Sequence, residues 1–116
     1  MRILLALFVL AHGVAHLVGF LGAWAPRRTT VVGTQIDLGR SWIKIVGLMW
    51  LAGALLFSVA AIGMVANAAW WPALTMGLAG ASLTLCVLQL PATRFGVVLN
   101  IVLIALLLGG QRAGWY

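Results

Sequence analysis

The chain has 116 residues and a formal net charge of +6, and 65% of its residues are hydrophobic. Charged residues make up only 7% of it, against about 25% in an ordinary soluble domain. These values exclude a water-soluble globule, because too few polar side chains are available to cover its surface. Together with a mean hydropathy of +1.18, they predict a single integral membrane domain.

Four apolar segments follow one another along the chain. They are residues 3–23, 42–65, 69–90 and 95–110. A helix needs about 20 residues to cross the hydrocarbon core of a bilayer. The segments lack the alternation of apolar and polar residues that membrane β-strands have, and backbone groups in lipid must be paired internally. The predicted fold class is therefore all-α, a transmembrane four-helix bundle.

The first segment contains "FVLAHGVAHLVGF", which carries both histidines of the chain. His12 and His16 are four residues apart, so both imidazoles point to the same face of a helix. Arg2 and the sequence Ala23-Trp24-Ala25 also give this segment the outline of a signal peptide. Its apolar core is longer than the roughly 7–15 residues of a signal, and Pro26 would be the first mature residue. We therefore expect an uncleaved first helix.

A polar stretch, residues 24–41, separates the first two segments and contains the only acidic residue, Asp37. We expect Asp37 to pair with Arg40 or Lys44, or to cap the second helix. A single acid provides no carboxylate pair for acid–base catalysis, and no glycine-rich nucleotide-binding motif is present. The sequence therefore predicts no enzyme.

Most basic residues fall at one end of the predicted helices. That end has Arg27, Arg28, Arg40, Lys44 and Arg94, and the other end has Arg2 and Arg112. Cytoplasmic loops collect Lys and Arg, which predicts a bacterial inner-membrane protein with the long loop 24–41 in the cytoplasm and both termini in the periplasm. These cations are too few and too dispersed to bind nucleic acid, and we expect them to meet anionic lipid headgroups.

Every predicted span places a polar side chain in the half of the membrane nearest the long loop. These residues are His12, His16, Lys44, Gln89 and Asn100. A polar group that faces lipid is costly, so we expect all five to face the bundle interior and to bond to one another.

The two histidines are expected to differ in their partners. Asn100 is the predicted partner of the histidine face. His12 lies deepest, and we expect it to bond locally, for instance to the carbonyl of Phe8. His16 lies one turn nearer the long loop, so it is expected to join Asn100, Gln89 and Lys44 in a network and to be the more important of the two.

Several roles are compatible with this pair. Neutral imidazoles could hydrogen-bond between helices, conduct protons or ligate a haem or chlorin. One helix carries both histidines, so a single chain offers one axial ligand at best. His-x-x-x-His could hold two positions of a zinc site, but no cysteine or acid is well placed, and no metal is predicted.

The functional expectation is an accessory or structural membrane protein, or one that binds a partner, either as a homo-oligomer or within a larger membrane complex. Transport or cofactor binding at His12 and His16 is the alternative. Cys86 is expected to be a packing residue. Rows of small residues spaced by four should lie where helices meet. These rows are Ala11, Ala15 and Gly19, and Ala73, Gly77 and Ala81.

The segments "HGVAHLVGFLGAW" and "GTQIDLGRSWIKIVGLMWLAGALLF" resemble a bacterial family of small four-span membrane proteins of unknown function. The resemblance covers about the first half of the chain and implies a four-span fold without a mechanism. It rests on His12-Gly13, Ala15-His16-Leu17, Gly19-Phe20, Asp37, Gly39, Gly47 and Trp50-Leu51.

Overall fold

The computed structural model describes residues 1–24 and 39–116, and within these ranges the chain forms four α-helices. They are α1 (Arg2–Trp24), α2 (Gly39–Val65), α3 (Trp71–Leu88) and α4 (Arg94–Arg112). Each is long and apolar enough to cross a membrane. At about 1.5 Å per residue, even α3, the shortest, spans roughly 27 Å. The all-α class is confirmed, and the four helices indicate a multi-pass membrane protein.

The helix ends differ from the predicted spans by a few residues. Helix α3 begins at Trp71 with Pro72 in its first turn, and it ends at Leu88. Leu90 precedes Pro91, and a residue before proline disfavours the helical conformation. Helix α4 continues past its predicted end at Gly110 to Arg112.

Helix α2 ends at a left-handed asparagine. Asn67 has a φ of 57°, a region that asparagine tolerates better than most residues. The amide of Ala68 then donates to the carbonyl of Gly63 at 3.0 Å, and that of Asn67 to Met64 at 3.3 Å, which satisfies two otherwise unpaired carbonyls. The Asn67 side chain also accepts a hydrogen bond from the Arg2 guanidinium. The turn between α2 and α3 is thereby tied to the start of α1.

Helix α4 ends in the same way, two residues beyond its predicted end at Gly110. Gly114 has a φ of 66°, and the amide of Trp115 donates to the carbonyl of Gly110 at 2.9 Å. Gly109 and Gly110 lie inside the last turn of α4 and do not end it. Gly110 instead makes room for the rings of Trp115 and Tyr116.

Helices α1 and α2 approach each other closely because two glycines of α1 leave space for bulky side chains of α2. A Cβ added to Gly13 would lie 2.8 Å from the Cβ of Phe57, and one added to Gly19 would lie 2.6 Å from the ring of Trp50. Real Cβ atoms essentially never come within 3.0 Å of another heavy atom. The two glycines therefore set the distance between α1 and α2.

The predicted rows of small residues are mostly wrong. Ala11 and Ala15 are exposed, as is the whole predicted row of α3, and only Gly19 lies at a helix contact. The inward face of α3 carries Trp71, Thr75, Ala79, Ser82 and Cys86. A bulky ring and three polar or sulfur-bearing side chains turn this face inward, which leaves the smaller row to face lipid.

The apolar core lies in the half of the bundle nearest the two termini. Its fully buried members are early in α1, late in α2 and late in α4, for example Val9, Phe57, Met64, Leu103 and Leu107. Trp71 and Tyr116 close this end, with their ring centroids 4.5 Å apart. The half nearest the long loop therefore depends on other contacts, and it holds the polar residues.

We expect Gly13→Ala to destabilise the protein by about 1–3 kcal/mol, because the new methyl overpacks the contact with Phe57. Gly77→Ala is the matched control, since an added Cβ there meets nothing within 4 Å, and it should be neutral or slightly stabilising. Thermal unfolding in a mild detergent measures both. Equal melting temperatures for the two variants would contradict the close α1–α2 contact.

Candidate functional site

The histidine face of α1 points into the bundle. His12 is 5% exposed, His16 is 2% exposed and Asn100 is fully buried. His12 donates from Nε2 to Oδ1 of Asn100 at 3.2 Å. The prediction that this face looks inward and finds Asn100 is confirmed.

A hydroxyl of α3 completes the cluster. Asn100 donates from Nδ2 to Oγ of Ser82 at 2.9 Å, and Ser82 in turn lies 2.9 Å from Nε2 of His16. His16 donates from Nδ1 to the backbone carbonyl of His12 at 2.9 Å. The four side chains of this polar cluster, His12, His16, Ser82 and Asn100, thus join α1, α3 and α4.

Two backbone carbonyls fix where the hydrogens lie. The amide of Asn100 donates to the carbonyl of Gly96 at 2.8 Å, so its nitrogen must face Gly96 and its oxygen must face His12. The carbonyl of His12 likewise requires a hydrogen on Nδ1 of His16. In its neutral form, His16 therefore accepts at Nε2 from the Ser82 hydroxyl, which itself accepts from Asn100.

Helix α2 encloses the imidazoles with aromatic rings rather than polar groups. The Phe57 ring meets His12 nearly perpendicularly, with centroids 4.9 Å apart, and Trp50 meets His16 at 4.8 Å. Gly53 leaves the space that His16 occupies, since a Cβ there would lie 2.7 Å from Cδ2 of the imidazole. These contacts hold both rings in one orientation.

Two buried polar atoms have no hydrogen-bond partner among the described residues, namely Nδ1 of His12 and Nε1 of Trp50. The hydrogen on Nε2 of His12 leaves Nδ1 as a bare acceptor, whereas the indole nitrogen is a donor. An unpaired buried group of this kind costs about 1–3 kcal/mol. Both atoms are covered by neighbouring side chains, so neither is presented to a ligand in this conformation.

The expectation for the local bond of His12 is wrong. His12 reaches across to α4, and it is His16 that bonds to a carbonyl four residues back. A carbonyl of the preceding turn can satisfy one nitrogen of either ring, and Asn100 lies at the height of His12 rather than of His16. The greater importance of His16 stays a prediction; its side chain has two hydrogen bonds and that of His12 has one.

The other predicted site residues are not members of the polar cluster. Ser82, and not Gln89, is the α3 partner of His16. The inward orientation predicted for Lys44 is wrong, because this residue is exposed and its Nζ lies 5.5 Å from the ring centroid of Trp24. A long basic side chain near a helix end reaches toward the headgroups instead. Asp37 lies outside the described residues, so its pairing with Arg40 stays a prediction.

Sequence reasoning missed Ser82, Trp50 and Gly53. Ser82 could have been found from the spacing of Thr75, Ser82 and Cys86, which share one face of α3. Gly53 and Trp50 carry no such signal, because apolar helices contain many glycines and tryptophans and only the packing shows which of them meet the histidines.

The cluster is a poor fit for a haem, a chlorin or a metal ion. His16 uses both ring nitrogens in hydrogen bonds, and the only unpaired imidazole nitrogen, Nδ1 of His12, is buried. Axial ligation would require these bonds to break. Across the described ranges, no three His, Cys, Asp or Glu residues come together as a metal site would require.

A cavity of about 260 Å³ lies next to the polar cluster. It extends from the middle of α1, at His12 and His16, to the ends of the helices nearest the long loop, at Ala23 and Thr93. At about 1.5 Å per residue, the distance along α1 from His12 to Ala23 is roughly 16 Å. Trp50 and Gln89 contribute to its walls, so Gln89 borders the histidines across this space.

Most of the remaining wall is aliphatic or aromatic. It includes Ala15, Val18, Trp42, Val46, Phe95 and Leu99. Ala15 and Val18 on α1 and Phe95 and Leu99 on α4 are also exposed at the bundle surface. The cavity is therefore bordered on α1 and α4 by residues that reach the bundle surface, which favours an opening between these two helices.

The chain matches no protein-family model, no curated protein and no solved structure at a significant level. The resemblance of its first half to a four-span family therefore stays a prediction, and the function has to be argued from the site itself.

We expect Asn100→Ala to lower the free energy of unfolding by about 2 kcal/mol, because it leaves buried partners on α1 and α3 unsatisfied. Ser82→Ala should cost about 1 kcal/mol, in the range of single membrane hydrogen bonds. Thr84→Ala is the matched control on α3, since its exposed hydroxyl bonds only to its own helix. Unfolding by a denaturing detergent measures all three, and equal effects would exclude a polar cluster that joins the helices.

Proposed function

We propose that the protein binds an apolar molecule from the bilayer in the cavity beside the polar cluster, without catalysing a reaction on it. The observation that carries this proposal is the cavity of about 260 Å³, which is bordered by exposed residues of α1 and α4. Its volume is slightly below the range of roughly 300–1,000 Å³ that is typical of pockets for drug-sized ligands, which suits a small or slender occupant.

The wall chemistry favours an apolar occupant. The polar atoms of the cluster bond to one another, and its unpaired atoms are buried. A ligand in the cavity therefore meets ring faces and aliphatic side chains, apart from Gln89 and Thr93 near the long-loop end. On this proposal His12 and His16 act as structural residues that hold the wall in place.

The arrangement argues against proton passage through the cluster. A relay needs groups that can accept a proton on one side and release it on the other, as imidazoles and hydroxyls do. Asn100, which connects His12 to Ser82, is an amide and does not do this, and Nδ1 of His16 donates back to its own helix.

An accessory role within a larger membrane complex is the second candidate. A Cβ added to Gly77 or Gly80 of α3 would meet nothing within 4 Å, and Gly77 is exposed, so another helix could approach there. The unknown-function family that the first half resembles is compatible with either role.

The proposed location is a bacterial inner membrane, with the long loop in the cytoplasm and both termini in the periplasm. The support for this orientation is the excess of Lys and Arg at the long-loop end, which is typical of cytoplasmic loops. A cysteine placed at Thr30 should resist a membrane-impermeant maleimide in intact cells and react after lysis. Labelling of intact cells would reverse the orientation.

The cavity proposal predicts saturable labelling by a small apolar aryl-diazirine photoprobe. In detergent-solubilised protein, labelling of the cavity residue Val46 should be competed by an excess of the same molecule without the diazirine. Labelling of lipid-facing residues such as Leu55 should not be competed, because the bulk apolar phase does not saturate.

The matched pair Ala15→Phe and Ala11→Phe tests the position. Both residues are exposed on α1, one turn apart, but only Ala15 lines the cavity. Ala15→Phe should abolish the saturable labelling at Val46, and Ala11→Phe should preserve it. Labelling that is not saturable in the unchanged protein, or that survives Ala15→Phe, would overturn the proposal.

A further inference from the structure

We propose that the occupant of the cavity is an acyl chain of an anionic phospholipid, whose phosphate is bound by Lys44 and Arg94 at the long-loop end. This inference rests on the proposed function and names the class of molecule. It adds a second part to the site, a cationic rim, which the apolar cavity alone does not require.

Two cations flank the cavity at that end. Lys44 follows Trp42 and Ile43, which both line the cavity, and Arg94 lies between Thr93 and Phe95, which also line it. Both basic residues are exposed. Lys44 lies in the second turn of α2 and Arg94 is the first residue of α4, so the two cations come from different helices.

Aromatic rings hold both cations near the rim. Nζ of Lys44 lies 5.5 Å from the ring centroid of Trp24, and the guanidinium carbon of Arg94 lies 5.2 Å from that of Phe95. A cation within about 6 Å of an aromatic centroid is attracted to the ring face. Phe95 is itself part of the cavity wall, so Arg94 lies next to a ring that borders the apolar space.

The charge balance at this end favours an anionic partner. The whole chain has seven Lys and Arg residues and a single acid. That one carboxylate, Asp37, can neutralise at most one of the two rim cations. A phospholipid phosphate supplies the missing negative charge at the depth where lysine and arginine meet headgroups.

The shape of the cavity fits the attached chain. It runs from this rim toward the bilayer middle, where it stops at the polar cluster. A lipid whose phosphate lies at the rim has its acyl chains at the opening between α1 and α4, and one chain can enter sideways without leaving the apolar phase. The occupant is thus a lipid that stays in its own leaflet, and no path through water is needed.

The test uses phosphatidylglycerol with a diazirine in the middle of one acyl chain, in nanodiscs of phosphatidylcholine. Phosphatidylcholine with the same photoreactive chain is the neutral comparison. Cross-links are mapped by mass spectrometry to the half-buried cavity residue Val46 and to the lipid-facing residues Leu55 and Val59. Since two cations contribute about 1 kcal/mol each, we expect phosphatidylglycerol to label Val46 about 25-fold more than phosphatidylcholine, and both lipids to label Leu55 and Val59 equally.

Charge variants test the rim. A cation near anionic lipid contributes about 1 kcal/mol, so Lys44→Gln and Arg94→Gln should each lower the labelling preference about 5-fold. Arg112→Gln is the matched control, since Arg112 lies at the opposite end of α4. A melting temperature equal to that of the unchanged protein within experimental error shows that each variant is folded.

The outcomes separate the two proposals. Equal labelling of the cavity by both lipids, or an unchanged preference in the two rim variants, overturns the anionic-lipid proposal while cavity binding stands. Labelling of Leu55 and Val59 alone, with none at Val46, overturns both proposals.

Discussion

One buried amide holds the long-loop half of the bundle together. Asn100 donates to Ser82 and to the carbonyl of Gly96, and accepts from His12. In lipid there is no hydrophobic force between apolar helices, so packing and hydrogen bonds must hold them. The apolar core near the termini supplies the packing, and the Asn100 amide supplies the directional bonds where that core ends. The position of α4 relative to α1 depends on it.

The same cluster explains why a cavity can persist beside it. A space in an apolar bundle normally closes, because collapse restores dispersion contacts. Here the hydrogen bonds of the polar cluster hold α1 and α4 at a fixed distance. Trp50 and Phe57 of α2 pack against the imidazoles. The helices cannot move together below the cluster without breaking its hydrogen bonds, so the space remains for an occupant.

The sequence predicted the fold class and the depth of the site, but not which side chains hydrogen-bond to one another there. Hydropathy finds four helices because the bilayer imposes one length and one kind of side chain. The cost of a polar group in lipid also brings His12 and Asn100 together. Partner identity is harder, because Gln89 is the C-cap of α3 and lies two turns after Ser82 on the same face, so only their depth relative to His16 decides which of them meets it. The inward orientation predicted for Lys44 is wrong because its flexible side chain can place the ammonium group at a different membrane depth from the backbone.

Glycines bring α1 close to α2 but not to α4. Gly13 and Gly19 bring α1 against α2 along much of their length, whereas nothing comparable draws α1 against α4. Helix α4 is therefore held to α1 by side chains alone, by apolar contacts near the termini and by Asn100 in the middle. On the long-loop side of Asn100, neither apolar contacts nor hydrogen bonds join α1 to α4. The space between these helices therefore opens toward the end that carries Lys44 and Arg94. The apolar opening and the cationic rim are neighbours because both lie where α1 and α4 are joined neither by the apolar core nor by the polar cluster.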